Sequence, residues 1–399
     1  MRYKAYKYRI YPNNSQKELI AKHIGCCRYI YNYGLDRKIN SYKETGKSVS
    51  RFEIQNEIVF LKKNEETSWL KEVNSQSLQA SLAIMQDSFF RFLKKDKGFP
   101  KFKSKRVGKQ SFQIPQFTKV DFENNKVIIP KFKEGIKCKI HRIFEGKTKT
   151  STISKTSSGK YYISILVELN EDNPKKMPID ENQAIGVDLG IKTFATLSDG
   201  IEIENPKNLR KSLRDLKRLQ RSVSRKQKGG SNRKKALKKV AIMYEKITNR
   251  RIDFLHKTSK FLIDNYDTIC LETISVKNLF KNCHIALAMS DITIGKFNEM
   301  VNYKAEWYGK NIIRIGRFEP SSKMCECGNI YKNLKLSQRV WICPICGRKN
   351  QRDLLAANNI KKFAFCKNNT AGTVGIYACG DMNCVGDSAQ ENYNLLSCN

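Results

Sequence analysis

Apolar positions recur along this chain with two periods, and the switches between them mark its elements. The opening Tyr3-Lys4-Ala5-Tyr6-Lys7-Tyr8-Arg9-Ile10-Tyr11-Pro12 alternates aromatic with basic residues and predicts a strand with one cationic face. Asn14 or Ser15 then caps a helix through Gln16, Leu19, Ile20 and Ile24, and a second helix carries Arg28, Tyr31 and Asn32. From about Phe52 to Phe92 the spacing is helical, as in Leu78, Leu82, Met85, Phe89 and Phe92. Gly98-Phe99-Pro100-Lys101-Phe102-Lys103-Ser104-Lys105-Arg106 breaks that pattern with a Pro-containing basic loop. Short alternating strands follow, Lys126–Ile129, Lys137–Ile140 and Tyr161–Val167, separated by Gly and Asn turns. They suggest a small β-barrel completed by the first strand.

Asn173-Pro174-Lys175-Lys176-Met177-Pro178 reads as a domain boundary. Beyond it, two β-branched runs flank Gly190 and predict a hairpin with Asp188 at the end of a buried strand. A basic helical region from Pro206 to Arg251 is broken at Gly229-Gly230-Ser231. Asp267–Ile274 and Asn311–Ile315 read as further strands, alternating with helix as in a mixed α/β sheet. An Ala/Leu-rich helix opens at Asp353.

Charge changes the picture most. Lys and Arg number 75 against 38 Asp and Glu, a formal net charge of +37, which calls for a polyanionic partner. The bases are spread over the whole chain and interleaved with aromatics, so nucleic acid fits better than a membrane surface. Within Pro206–Arg251 eighteen Lys/Arg face only Asp215 and Glu245, a ratio tolerable where the face meets phosphate. Lys4, Lys7 and Arg9 on the first strand, Lys101, Lys103 and Lys105 on the loop, and Arg214, Arg218 and Arg221 on the basic helix are the candidate contacts. Charge alone does not distinguish DNA from RNA, or binding from cutting. No apolar run approaches a membrane span, and no signal-peptide core opens the chain, so a soluble intracellular protein is expected.

Two local chemistries stand out. Cys325-Glu326-Cys327 and Cys343-Pro344-Ile345-Cys346 form two close thiol pairs with fifteen residues between the inner two, the spacing of a tetrahedral zinc ribbon. The first pair is one residue shorter than usual. Asp188 and Glu272 end strands and Asp353 opens a helix, so all three can meet at one sheet rim. There they can hold two hard divalent ions for phosphodiester hydrolysis.

With these residues in place the chain resembles the TnpB family, the OrfB-type proteins of bacterial insertion sequences, related to the compact type V CRISPR effector nucleases. The resemblance runs through Lys4–Pro12, Arg28-Tyr29-Ile30-Tyr31-Asn32, Gly98–Lys105, Gly186-Val187-Asp188-Leu189-Gly190, Asp253-Phe254-Leu255-His256-Lys257, Pro320-Ser321-Ser322-Lys323 and Leu336–Cys343. It implies a multidomain α+β architecture in which an N-terminal wedge-like β-barrel is interrupted by a helical recognition lobe. A RuvC-like nuclease core of RNase H fold with an inserted zinc ribbon follows. The expected divisions are 1–35 with 111–172 for the wedge, 36–110 for the lobe, 179–320 with 348–385 for the core, 321–347 for the ribbon and 386–399 for a flexible tail.

The implied activity is RNA-guided cleavage of double-stranded DNA beside a short adjacent motif. The catalytic carboxylates would be Asp188, Glu272 and Asp353, with two Mg²⁺ or Mn²⁺ ions, one structural zinc and a transposon-encoded guide RNA that carries sequence specificity by pairing. A monomeric ribonucleoprotein in the bacterial or archaeal cytosol or nucleoid is expected. By the same resemblance Ser75, Gln76 and Gln79 can touch target-adjacent bases, since Gln pairs with adenine edges. The third motif departs from the family's Asp-Arg-Asp-x-Asn-Ala-Ala: Gln351 replaces the first acid and Leu355 the asparagine. This departure motivates an alternative, a guide-RNA-dependent DNA-binding protein with weakened cleavage. A self-sufficient transposase acting by strand transfer is a third.

Overall fold

In the computed structural model the chain divides into two compact units, Met1–Pro174 with Asn208–Ile252, and Lys175–Lys207 with the chain from Asp253 onward. The structure describes residues 2–105, 108–274, 283–335 and 337–366, without the side chains of 283–285. Arg106, Leu336 and the predicted tail at 386–399 lie outside the described residues.

The first unit is built on one seven-stranded sheet. Its strands are β1 (Arg2–Tyr11), β2 (Gln110–Ile114), β3 (Lys119–Asp121), β4 (Lys126–Ile129), β5 (Phe132–Lys139), β6 (Lys147–Lys155) and β7 (Tyr161–Leu169), in the order β2-β6-β7-β1-β5-β4-β3. All its pairings are antiparallel. β1 sits between β7 and β5, so the start of the chain completes the sheet. Tyr6, Tyr8 and Ile10 are buried, with Tyr6 opposite Ile165 and Tyr8 opposite Ile163.

Strand alternation corrects one expectation here. Lys7 and Arg9 share the outer face with Tyr3, Ala5 and Tyr11, whereas Lys4 has the parity of Tyr6 and lies on the other face.

Between β1 and β2 come α1 (Asn14–Thr45), α2 (Arg51–Lys63), a 3-10 helix (Glu65–Glu72) and α3 (Ser75–Leu93). α1 is one helix of 32 residues where two were expected. Gly25-Cys26-Cys27 does not break it, because Ile20, Ile24, Ile30 and Leu35 bury one continuous stripe. Its cap is Asn13, not Asn14 or Ser15, in a reciprocal box with Gln16. α1 meets α3 closely at Gly34, where an added Cβ would lie 2.5 Å from Leu82 and 2.9 Å from Met85. The basic helix α4 (Asn208–Ser224) completes this unit with the first part of α5 (Ser231–Asn265).

The second unit holds β8 (Ala184–Leu189), β9 (Thr193–Leu197), β10 (Glu202–Glu204), β11 (Thr268–Glu272) and β12 (Asn311–Ile315) in the order β10-β9-β8-β11-β12. β8, β9 and β10 are antiparallel, while β11 runs parallel to both β8 and β12. β8 and β11 read as almost continuous apolar runs because both faces are covered. Ile185, Val187, Ile269 and Leu271 pack with α6 (Cys283–Ile292), α7 (Ile294–Tyr308) and the end of α5 through Met289, Phe297, Val301, Leu255 and Leu262. Cys270 and Ile315 pack with Ile360 and Ala364 of α8 (Arg352–Cys366). The hairpin β13 (Val340–Ile342) and β14 (Lys349–Gln351) precedes α8 directly.

Candidate acidic site and four-thiolate cluster

One glycine sets how the site is assembled. A Cβ on Gly186 would lie 2.0 Å from the carbonyl oxygen of Ala357 and 2.9 Å from the nitrogen of Lys361, so α8 rests directly on β8 at this point. Side chains alternate across a strand, so Asp188, two residues on, shares the α8 face. Asp353 stands one helical turn before Ala357, at the start of α8. On β11, Cys270 pairs with Gly186 and packs under α8. Glu272 therefore shares that face, and extending the register by one residue sets it beside Asp188. The three acids thus gather at the carboxyl ends of two parallel strands and the amino end of one helix, where the helix dipole favours negative charge.

The electrostatics agree with the topology. Asp188, half-buried, has its carboxyl pushed up to about 7, first by burial and then by the charges of Asp353 and Glu272. Glu272 is also raised, by burial. Asp353 is held by Arg339, whose Nη1 donates to Oδ1 at 2.8 Å and to Oδ2 at 3.1 Å. Arg339 and Arg352 pull the Asp188 carboxyl down, but burial and the two acids outweigh them. Arg339 stands immediately before β13, within a stretch already aligned with the family, yet its role was not legible beforehand. Its charge faces the acids only after the hairpin folds back, with Arg352 N bonded to Arg339 O at 2.8 Å.

The two departures in the third motif have clear surroundings. Gln351 donates from Nε2 to Glu202 at 3.2 Å on the surface. Leu355 is buried with Cys325, Trp341 and Cys343, so an apolar side chain suits that position.

The four thiols come together. The sulfurs of Cys325, Cys327, Cys343 and Cys346 all lie within 4.8 Å of one another, the group of metal-ligand type that closes to that spacing among the described residues. Cys325 to Cys346 is 3.7 Å and Cys327 to Cys343 is 3.6 Å. A tetrahedral zinc with sulfurs at about 2.3 Å requires sulfur separations of about 3.8 Å, so the donor set fits the ion. The one-residue spacing of the first pair still reaches this geometry. Asn350 Nδ2 lies 3.5 Å from Cys325 Sγ, and Asn329 Nδ2 lies 3.6 Å from Cys343 Sγ. Donation from the Cys346 backbone N–H lowers the Cys343 thiol to about 6, which favours the ligating thiolate.

The remaining candidates are placed as follows, each within the first unit. Lys7 lies over the Tyr162 ring at 4.7 Å, Arg9 over Tyr11 at 5.1 Å, and Lys4 over Tyr6 at 5.8 Å. Lys101, Lys103 and Lys105 are on an exposed loop that Asn32 clamps, donating to Lys103 O at 2.9 Å and accepting from Lys103 N at 2.7 Å. Lys103 Nζ sits over Tyr31 at 3.7 Å. Ser75 and Gln79 are exposed at the start of α3. Ser75 Oγ accepts from Lys62 at 2.6 Å, and half-buried Gln76 contacts Gln116 at 3.4 Å. Arg214, Arg218 and Arg221 line an open concavity of about 950 Å³ along α4 with Arg210, Lys217 and Arg225.

The chain is similar to known proteins over most of its length. Family models match residues 164–283 (OrfB_IS605, "Probable transposase"), residues 1–47 (HTH_OrfB_IS605, "Helix-turn-helix domain") and residues 295–360 ("Cas12f1-like, TNB domain"). In this chain residues 2–45 form a strand and a single long helix. A protein of Streptomyces pristinaespiralis named "Putative RNA-guided DNA endonuclease" is 36% identical over 95% of this chain and 91% of its own length. One of Escherichia coli (strain K12), "Putative RNA-guided DNA endonuclease InsQ", is 30% identical over 96% and 95%. The fold resembles a chain of the solved Cas12f1-sgRNA-target DNA complex, with TM-score 0.54 and 15% identity over 88% of this chain and 83% of that one. No helix among the described residues is long and apolar enough to cross a membrane.

Proposed function

Because the chain belongs to the TnpB (OrfB-type) family, we propose that it is an RNA-guided DNA endonuclease. In this reading it binds a transposon-encoded guide RNA as a monomer in the cytosol or nucleoid and cuts double-stranded DNA beside a short adjacent motif. The observation that carries the cutting step is the gathering of Asp188, Glu272 and Asp353 at one sheet rim, where burial first, and then the charges of Asp353 and Glu272, push the Asp188 carboxyl up to about 7. A strand order of three antiparallel strands continued by two parallel ones supports a RuvC-like core of RNase H type. The seven-stranded sheet supports a wedge drawn from β1 and the strands of 111–172, and the helices between them a recognition lobe, with the continuous α1 (Asn14–Thr45) running across the expected division at 35/36.

In this mechanism Asp188, Glu272 and Asp353 would hold divalent cations, for which clustered hard carboxylate oxygens are suitable ligands. Mg²⁺ or Mn²⁺, when bound, supplies the Lewis acidity that activates water and stabilises the leaving oxygen. Asp188 must shed its proton to join the ligand set, so cation binding there would be coupled to proton release. Arg339 holds the Asp353 carboxylate oriented through its hydrogen bond at 2.8 Å. The four thiolates would hold one structural zinc, steadying the hairpin that Arg339 precedes. Lys and Arg along β1, the Lys103 loop and α4 would contact phosphate, and base pairing with the guide would supply sequence specificity.

The test is cleavage of matched duplex DNA by the purified ribonucleoprotein in millimolar Mg²⁺, beside Asp188→Ala. Cutting that disappears in the variant while DNA binding remains supports the reading. Matched DNA bound but left intact by the wild-type complex would sink it, and would favour the guide-dependent binding protein that Gln351 and Leu355 motivate.

A further inference from the structure

Arg28 sits half-buried on α1 at the border of two cavities, one of about 440 Å³ and one of about 280 Å³. Among the described residues its guanidinium has no hydrogen-bond or ion-pair partner. A half-buried cation left without a partner is costly unless an anion arrives from outside. The larger cavity supplies what would accompany such an anion. Its wall is aromatic: Tyr29 and Trp69 meet edge to face at 5.1 Å, and the Trp69 ring is fixed by its Nε1–H donating to Glu66 O at 2.9 Å. At its rim Lys22 and Glu72 pair at 2.7 Å, with both side chains about half exposed.

Its floor is left open by composition. Gly25 lines it, and a Cβ built there meets nothing within 4 Å. Glycine is a poor helix former, yet this one lies inside a 32-residue helix with no positive φ and no close approach to require it. Empty space above a helical glycine is what a cavity kept clear for a ligand needs.

We propose that this cavity takes one unpaired nucleotide of a bound strand, with its base against Trp69 and Tyr29 and its phosphate on Arg28. The volume lies within the range of small-ligand sites. Stacking on an aromatic wall beside a cation is the general mode of single-strand capture, and it tolerates any base. The Glu72 carboxylate adds an acceptor for amino-bearing base edges. The inference deepens the nucleic-acid reading above by naming a subsite, and it rests on that reading.

The experiment uses the full chain and a short mixed-sequence oligonucleotide as single-stranded RNA, single-stranded DNA and duplex DNA, with affinities from fluorescence anisotropy. Gly25→Leu fills the floor while replacing a poor helix former with a good one, so its Tm should hold or rise. It and Arg28→Gln should each weaken single-strand binding roughly tenfold, as loss of one stack or phosphate contact does. Duplex binding should change less than about twofold. The RNA and DNA arms identify which strand is captured. In protein carrying 5-fluorotryptophan, the Trp69 resonance, assigned with Trp69→Phe, should move on adding single strand and stay still in Gly25→Leu. Single-strand affinity of Gly25→Leu equal to wild type, with an unmoved Trp69 resonance, overturns the subsite and leaves the endonuclease reading intact. A wild-type chain that binds none of the three probes removes both.

Discussion

Replacing Gly186 with alanine tests whether one backbone contact sets the spacing of the acids. The added Cβ would stand 2.0 Å from Ala357 O and 3.0 Å from Lys361 Cβ, whereas ordinary contact begins at 3.4 Å. Because packed interiors have little slack, helix or strand must shift by roughly 1.4 Å. The hairpin side offers no easy relief, since Gly186 N donates to Ser198 Oγ at 3.0 Å and Ser198 N donates to Gly186 O at 2.9 Å. The movement falls on α8, which carries Asp353 one turn away. Overpacking of this kind lowers stability by about 1–3 kcal/mol. A catalytic group displaced by about 1 Å costs on the order of 100-fold in rate. Single-turnover cleavage by the ribonucleoprotein should therefore fall about 100-fold, while guide and target binding stay close to wild type, because the basic surfaces described above belong to the other unit. If Gly186→Ala cuts within about twofold of wild type, the strand-to-helix contact does not position Asp353 and the account of the site is wrong.

Three further outcomes follow from the same geometry. Below about pH 7 the folded protein keeps a proton on Asp188 that the unfolded chain releases in the ordinary carboxylate range. Metal-free protein should therefore lose stability as pH rises from the ordinary carboxylate range to about 7, and a Tm series in chelator should flatten in Asp188→Asn. Arg339→Ala leaves Asp353 without its partner at 2.8 Å and should lower cleavage roughly 10- to 100-fold with duplex binding unchanged, a split read by running cleavage and gel-shift assays side by side. Cys343→Ser should reduce metal content measured by mass spectrometry from about one zinc per chain to little or none. It should also lower cleavage, because the hairpin beside Arg339 loses its anchor.

Much of this protein was legible in its amino-acid order because local rules act on neighbours. Alternation marked β1, β4 and β7, a short apolar run marked β12, the pair Gly229-Gly230 separated α4 from α5, and the thiol spacing announced the cluster that the fold closes. Local rules misjudged α1, where a stripe buried against other elements carried the helix past Gly25, and the expectation of one cationic face on β1 passed over the alternation that sets Lys4 with Tyr6. Asp188, Glu272 and Asp353 were recognisable as strand-end and helix-start acids. Their shared side follows from strand parity once α8 is known to lie on Gly186. Tertiary structure alone decided that contact, the pairing of Arg339 with Asp353, and the open space above Gly25 beside Arg28, which has no partner among the described residues. Each joins residues whose separation along the chain is bridged by packing, and electrostatic and steric effects act through space rather than along the backbone.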